Sequence, residues 1–231
     1  MTLVLRPLPW PLPQSPNPWR CWSLLDWDDP PLLVLLDRRD PATARQASLL
    51  APLLSLAEHQ RLQQLRRPDD RDRFLLGRGA LRHCLGVLLD CDPAQLLLDV
   101  GPHGKPALRR GIGAGAAAVP QFNVAHAGDC ILLALHPRRA VGVDVEQQRP
   151  GLNWPAIAAR MMPDTWQTSL RPLSGTVQAE ACLQAWCQLE AQLKARGWGL
   201  AGRGAAGGTH GSGPCWSIAL PAGYAGAAAL A

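Results

Sequence analysis

Apolar and polar positions along the chain alternate with two periods, and these divide it into short strands and a few longer helices. LLVLL (32–36) reads as a strand. SLAEHQRLQQL (55–65) reads as a helix, with Ser55 as its N-cap, Glu58 at the third helical position and leucines recurring at Leu62 and Leu65. Asp69–Asp72 reads as a polar break. RFLLGRGALRHCLGVLL (73–89) then shows a broad apolar face, with Arg78 and Arg82 four apart on another, and predicts a second helix. LLLDV (96–100) is a short strand, and GPHGKPAL (101–108) is a turn punctuated by glycine and proline. FNVAHAGDCILLAL (122–135) predicts two strands about a turn at Ala127–Asp129, a hairpin, and AVGVDVE (140–146) a third strand. Residues 153–174 are irregular to helical. QAEACLQAWCQLEAQLKA (178–195) is the strongest helix, ended by Gly197, and CWSIAL (215–220) and the terminal AALA are closing strands. Six prolines between Pro7 and Pro18 predict an extended arm, RRGIGAGAAAVP (109–120) a linker, and the six glycines of 202–213 a loop. The expected class is α+β, with two lobes of similar size, 1–115 carrying the arm and 116–231.

Composition narrows the picture. A chain of 231 residues can bury a full core. The formal net charge of +5 suits an acidic partner or a polyanionic small molecule. No arginine-rich block is interleaved with aromatics as a base-stacking surface requires, so nucleic acid is not expected. No apolar run approaches the roughly 20 residues of a membrane span, and MTLVLRPLPWPLP does not read as a secretory signal. Seven scattered cysteines with no CxxC pair indicate a reducing cytoplasm and small buried thiols, not a disulfide framework. Of 23 basic residues, only Lys105 and Lys194 are lysines. A compact ammonium can lose its proton in a suitable environment, which a guanidinium does not.

The candidate chemistry centres on VGVDVE. Residues two apart on a strand share a face, so Asp144 and Glu146 point the same way. Such a pair either ends a strand in solvent or repels until a cation separates the charges. Forty residues on, Trp186, Glu190 and Lys194 recur at four-residue spacing and form one helical stripe. A surface pair of Glu190 and Lys194 would need no tryptophan beside it, since tryptophan is usually largely buried. Carboxylates from a strand and a helix suit Mg²⁺, which takes oxygen ligands and completes its shell with water and substrate phosphates. Arg73, Arg78, Lys105 and His126 lie where a polyanion can approach. Neither GxxxxGK[ST] nor a strand-borne GxGxxG occurs.

Five segments in order, RFLLGRGALR, GPHGKP, FNVAHAGD, VGVDVE and WCQLEAQLKARGWGL, carry a resemblance. The chain resembles the 4'-phosphopantetheinyl transferases, specifically the longer single-chain type serving nonribosomal peptide, polyketide and siderophore synthesis. The resemblance covers about residues 70–200 and extends to the terminal PAGYAGAAALA. It implies two pseudo-symmetric α/β lobes with coenzyme A between them, and a monomer. It further implies that Asp144, Glu146 and Glu190 bind Mg²⁺ and that Lys194 lies at the reacting pyrophosphate. Arg73 would lie near the adenosine portion, and Lys105 and His126 near the 3'-phosphate. Gly104 and Pro106 would shape the turn presenting Lys105, and Arg78 matches a further arginine of many members. The implied reaction transfers the 4'-phosphopantetheine arm of coenzyme A to a serine of an acyl or peptidyl carrier protein, releasing adenosine 3',5'-bisphosphate. Glu190 or a metal-bound water would be the base.

Two departures bear on this. Ala125 stands where the family commonly has serine, and Leu189 where a lysine or arginine usually precedes the helix glutamate. Gln60 and Ala57 stand at upstream positions where basic residues are expected, for which Arg61, Arg66 or Arg67 would have to substitute. Two other classes therefore stay open: a non-catalytic coenzyme A or carrier-binding protein of the same fold, and a metal-dependent diphosphate hydrolase. Met161, Met162 and Trp166 are either carrier-docking residues or core.

Overall fold

The computed structural model describes residues 2–3, 31–101, 105–109, 119–198 and 213–231. The proline arm, Gly104, most of the 109–120 linker and most of the 202–213 loop lie outside them.

In chain order the elements begin with β1 (Thr2–Leu3), β2 (Leu32–Asp37), α1 (Pro41–Leu50), α2 (Leu56–Gln64) and α3 (Pro68–Leu89). A small hairpin follows, β3 (Leu98–Val100) and β4 (Pro106–Leu108), and then β5 (Gln121–Ala127), β6 (Cys130–His136) and β7 (Val141–Gln147). Three helices, α4 (Trp154–Met161), α5 (Asp164–Leu170) and α6 (Gly175–Ala195), precede β8 (Cys215–Ile218) and β9 (Tyr224–Leu230).

Local chemistry accounts for the helix starts. Asp40 accepts from the Ala42 amide at 2.8 Å with Pro41 in the first turn of α1, and Ser55 and Glu58 form a complete capping box on α2. The expected polar break at Asp69–Asp72 is instead the first turn of α3. Pro68 is preset for a first helical position, and Asp69 and Asp70 complement the positive end of the helix dipole. At the other end of the chain, α6 stops at Gly197, whose φ of 71° is open to glycine.

Two sheets stack face to face with a long helix on each outer side. One sheet has the order β2-β6-β5, all antiparallel; the other runs β1-β8-β9-β7. Odd positions of β6 (Ile131, Leu133, Leu135) pack with Leu81 and Leu85 of α3, while Leu132 and Ala134 face the second sheet. There they meet Val141, Val143 and Val145 of β7 and Ala228 and Leu230 of β9. The opposite face of β9, Ala225, Ala227 and Ala229, packs under α6, whose Cys187, Leu189 and Ala191 are buried. The layers are thus helix, sheet, sheet, helix: a mixed α/β architecture of two lobes, each a sheet beneath one long helix. The sheets do not part the chain at residue 115. The β5–β6 hairpin pairs with β2 of the first half, and β1 joins β8 of the second.

Alternation on β7 has a consequence for the site. With Val141, Val143 and Val145 turned to the other sheet, Gly142, Asp144 and Glu146 face α6. A Cβ on Gly142 would stand 2.0 Å from the Ala191 carbonyl and 2.4 Å from the Ala195 amide, so only glycine allows the helix so near. Met162 is buried among α4 and α6 and Trp166 packs against that cluster, so both have a core role. Among the described residues, no helix is long and apolar enough to cross a membrane.

Candidate active site at the seam between the lobes

Among the described residues, β7 ends its sheet and pairs only with β9. Its second edge, at the seam between the two sheets, is satisfied by side chains. Asn123 of β5 accepts from the Val143 amide at 2.8 Å, Lys194 donates to the Val143 carbonyl at 3.3 Å, and Lys105 donates to the Val141 carbonyl at 3.0 Å. The second edge of β7 is thereby held at Val141 and Val143 by side chains in place of a further strand.

On the face toward α6, Lys194 Nζ lies 2.6 Å from Asp144 Oδ1. Asp144 is 5 % exposed, and burial pushes its carboxyl above the usual range despite the ammonium beside it. Its Oδ2 is buried with no nitrogen or oxygen donor; the Cys187 thiol lies beside the carboxyl and favours its charged form, and stands 3.4 Å from the Ala225 carbonyl as well. Glu146 is half-buried. Burial and the charge of Asp144 raise its carboxyl, while the Trp186 side chain hydrogen-bonds to it. The α6 stripe therefore lies along β7 in register, with Trp186 at Glu146 and Lys194 at Asp144. Glu190, half-buried, stands one turn from each on the same stripe.

This donor set fits a hard divalent cation on chemical grounds. It is oxygen only, it holds one buried carboxylate oxygen without a nitrogen or oxygen donor, and two of its acids raise each other's cost of ionisation. Among the described residues, no group of three or more His, Cys, Asp or Glu side chains forms a metal cage. Mg²⁺ seldom uses an all-protein cage; one or two carboxylates with substrate phosphates are its usual partners.

The second part of the site is a cleft of about 420 Å³ between α2, α3 and β5, lined by Arg61, Leu65, Asp70, Arg73, Phe74, Gly77, Arg78, Pro106, Val124 and His126. It gathers Arg73, Arg78, Pro106 and His126 of the expected ligand set and adds Arg61. Lys105 does not line it. Arg73 donates to the Gly128 carbonyl at 2.8 Å and to Asp70 at 2.6 Å, which aims it from α3 at the β5–β6 turn. That turn is fixed from both lobes: Arg38 bridges Asp129, Asp69 and Asp72, and the Tyr224 hydroxyl of β9 accepts from the Asp129 amide at 3.0 Å. Arg78 lies over the Phe74 ring at 5.9 Å, with Glu58 3.9 Å away. His126 is held below its ordinary pKa first by burial and then by Arg73 and Lys194, so it is neutral in a positive field. Because His126 feels the Lys194 charge, cleft and acid face belong to one electrostatic unit.

Sequence reasoning missed two residues that organise this unit. Glu58 was read as a capping residue, and it also binds the buried Arg82 and sits beside Arg78. Asn123 carried no signal in the strand alternation, since its partner lies on another sheet.

Comparison with known proteins gives the same picture. Residues 40–138 match the family model described as 4'-phosphopantetheinyl transferase, N-terminal. The 4'-phosphopantetheinyl transferase HetI of Nostoc sp. is 33% identical over 179 residues, covering 74% of this chain and 74% of that protein. A Synechocystis sp. protein that carries the transferase name provisionally is 38% identical over 154 residues, 65% of this chain and 59% of its own length. The AcpT transferase of Escherichia coli K12 is 32% identical over 128 residues, 55% of this chain and 58% of that protein. The chain belongs to the 4'-phosphopantetheinyl transferase superfamily, and its alignments span under two thirds of the Synechocystis and E. coli relatives.

Proposed function

We propose that this protein transfers the 4'-phosphopantetheine arm of coenzyme A to a serine of an acyl or peptidyl carrier protein, releasing adenosine 3',5'-bisphosphate. We assign it to the longer single-chain type that serves secondary-metabolite synthesis. The observation that carries the reading is the register of β7 against α6, which sets Asp144 and Glu146 opposite the Trp186–Glu190–Lys194 stripe beside an arginine-lined cleft.

The cleft's charge and size suit the phosphorylated nucleotide end of coenzyme A. Arg61, Arg73 and Arg78 supply fixed positive charge, and neutral His126 can donate one hydrogen bond to a phosphate oxygen. The pyrophosphate then extends toward β7. Asp144 and Glu146, with Glu190 one helical turn along the stripe, would share Mg²⁺ with the substrate's phosphates, and the ion would supply charge neutralisation and alignment of the phosphorus for in-line attack. Lys194 stays on Asp144 Oδ1 and presents its charge to the departing phosphate, while the Glu190 carboxylate takes the proton of the attacking serine. Ala125 offers no hydroxyl to the phosphate, and Leu189, 1 % exposed, belongs to the core beside β9, so the arginines of α2 and α3 carry more of the binding.

Incubation with coenzyme A, Mg²⁺ and apo carrier domains, followed by mass measurement of the carriers, tests the reading. A carrier gaining the phosphopantetheine mass in the parent, and none in Asp144→Ala or Glu190→Ala, is the expected result. Coenzyme A binding without any mass gain would mean a binding protein instead. Diphosphate cleavage without a carrier would mean a hydrolase. A second readout needs no turnover: Mg²⁺ should raise the melting temperature of the parent and not of Asp144→Asn.

A further inference from the structure

The chain uses arginine at 21 of its 23 basic positions and lysine at two, and the two lysines meet at one seam. Lys105 stands just before β4, in the two-stranded hairpin that belongs to neither main sheet. Its ammonium donates to the Val141 carbonyl at 3.0 Å and to the Lys194 carbonyl at 2.9 Å. One side chain thus joins the hairpin to the free edge of β7 and to the last turn of α6. Both acceptors are main-chain atoms, and the second lies in the residue whose own ammonium grips Asp144.

The geometry explains the residue type. Two carbonyls from different elements converge on one point in a largely buried seam, where a tetrahedral ammonium reaches both and a planar guanidinium fork is too broad. A positive charge at the C-terminal end of α6 also complements the helix dipole. Burial and the nearby Lys194 lower the ammonium to about 8, as expected for a cation committed to protein and not to solvent. Asn123 braces the same edge two residues along, so β7 is fixed against the first lobe at Val141 and Val143.

We infer that Lys105 is a positioning residue and not a phosphate ligand: it clamps the β4 hairpin to β7 and α6, and so sets Lys194 against Asp144. The inference rests on the transfer reaction proposed above for its kinetic test, and a ligand-free measurement separates the two.

The first measurement is amide hydrogen exchange of Lys105→Met without any ligand. Segments 141–146 and 192–197 should exchange at least about tenfold faster than in the parent, with α3 unchanged. Unchanged exchange there overturns the clamp whatever the protein's activity. The second compares coenzyme A with 3'-dephospho-coenzyme A in binding titrations, beside carrier turnover. In Lys105→Met the preference between the two should stay within about twofold of the parent's while kcat falls at least about tenfold. A preference that collapses toward unity makes Lys105 a phosphate ligand and overturns the inference. Lys105→Arg keeps the charge with the wrong shape; it should lose kcat and keep the preference, and full activity in that variant overturns the clamp. If the parent binds neither coenzyme, the transfer reading fails and hydrogen exchange alone decides on the clamp.

Discussion

The long helix of each lobe carries one ion pair, Arg82 of α3 with Glu58 and Lys194 of α6 with Asp144, and the two are built in opposite ways. In the first lobe Arg82 of α3 is 2 % exposed, and its guanidinium is held by protein groups: Nε pairs with Glu58, and Nη1 donates to the carbonyls of Pro93 at 2.7 Å and Leu96 at 3.1 Å. In the second lobe the Lys194 side chain is 31 % exposed, and its partner Asp144 keeps one oxygen buried without a nitrogen or oxygen donor. The first pair is closed. The second is open toward a ligand and carries a desolvation cost that nothing in the described structure offsets in full. Saturation and the exposure of the cation separate scaffold from site here, although each pair joins one cation to one carboxylate.

The sharpest way to break this comparison is to neutralise each pair in turn. Asp144→Asn keeps the shape and removes the charge, and carrier labelling should fall at least about a hundredfold. Its unfolding free energy from urea titration should stay within about 1 kcal/mol of the parent's, since relief of the buried charge offsets the lost partner. Arg82→Met should do the reverse. It strands a half-buried Glu58 and several carbonyls and should cost about 3–5 kcal/mol in urea unfolding, with turnover per folded molecule retained. If Arg82→Met abolished turnover in fully folded protein, the division between scaffold and site would fail.

Smaller effects sharpen it. Ser55→Ala removes half of the capping box that holds α2 and orients Glu58, and should cost about 1 kcal/mol. Titration gives a further contrast. Burial raises Asp144 and Glu146, so the folded chain keeps protons that the unfolded chain releases. These two acids therefore contribute a loss of stability as pH rises from about 4 toward neutrality, the unfolded acids ionising first, while His83 and His126, both held low by burial, contribute in the opposite sense nearer neutrality. Melting curves of Asp144→Asn should show a shallower fall. A parent that loses no melting temperature relative to Asp144→Asn over this range would contradict the burial of Asp144.

Local features were legible wherever a few adjacent residues carry the physics. The Ser55–Glu58 box, the Trp186–Glu190–Lys194 stripe and the shared face of Asp144 and Glu146 follow from helical and strand periods. The start of α3 was misread because four charged residues resemble a loop until the preceding proline is weighed with the helix dipole. Arg82 looked like any helix arginine, since its three carbonyl partners lie 11–14 residues further along the chain. The contacts of Lys105 with Val141 and the end of α6 were not legible, because nothing local in the sequence places those residues beside it.

The sequence by itself determined which faces exist: an acidic strand face, a helical stripe of tryptophan, glutamate and lysine, and a basic helix. Only the tertiary structure decided which faces meet. It set the β5–β6 hairpin beside β2 and left β7 at a sheet edge, completed by Lys105, Asn123 and Lys194. The reason is physical. Side-chain period is a property of neighbouring residues, whereas strand pairing and edge capping are settled by the burial and hydrogen-bond balance of the whole chain.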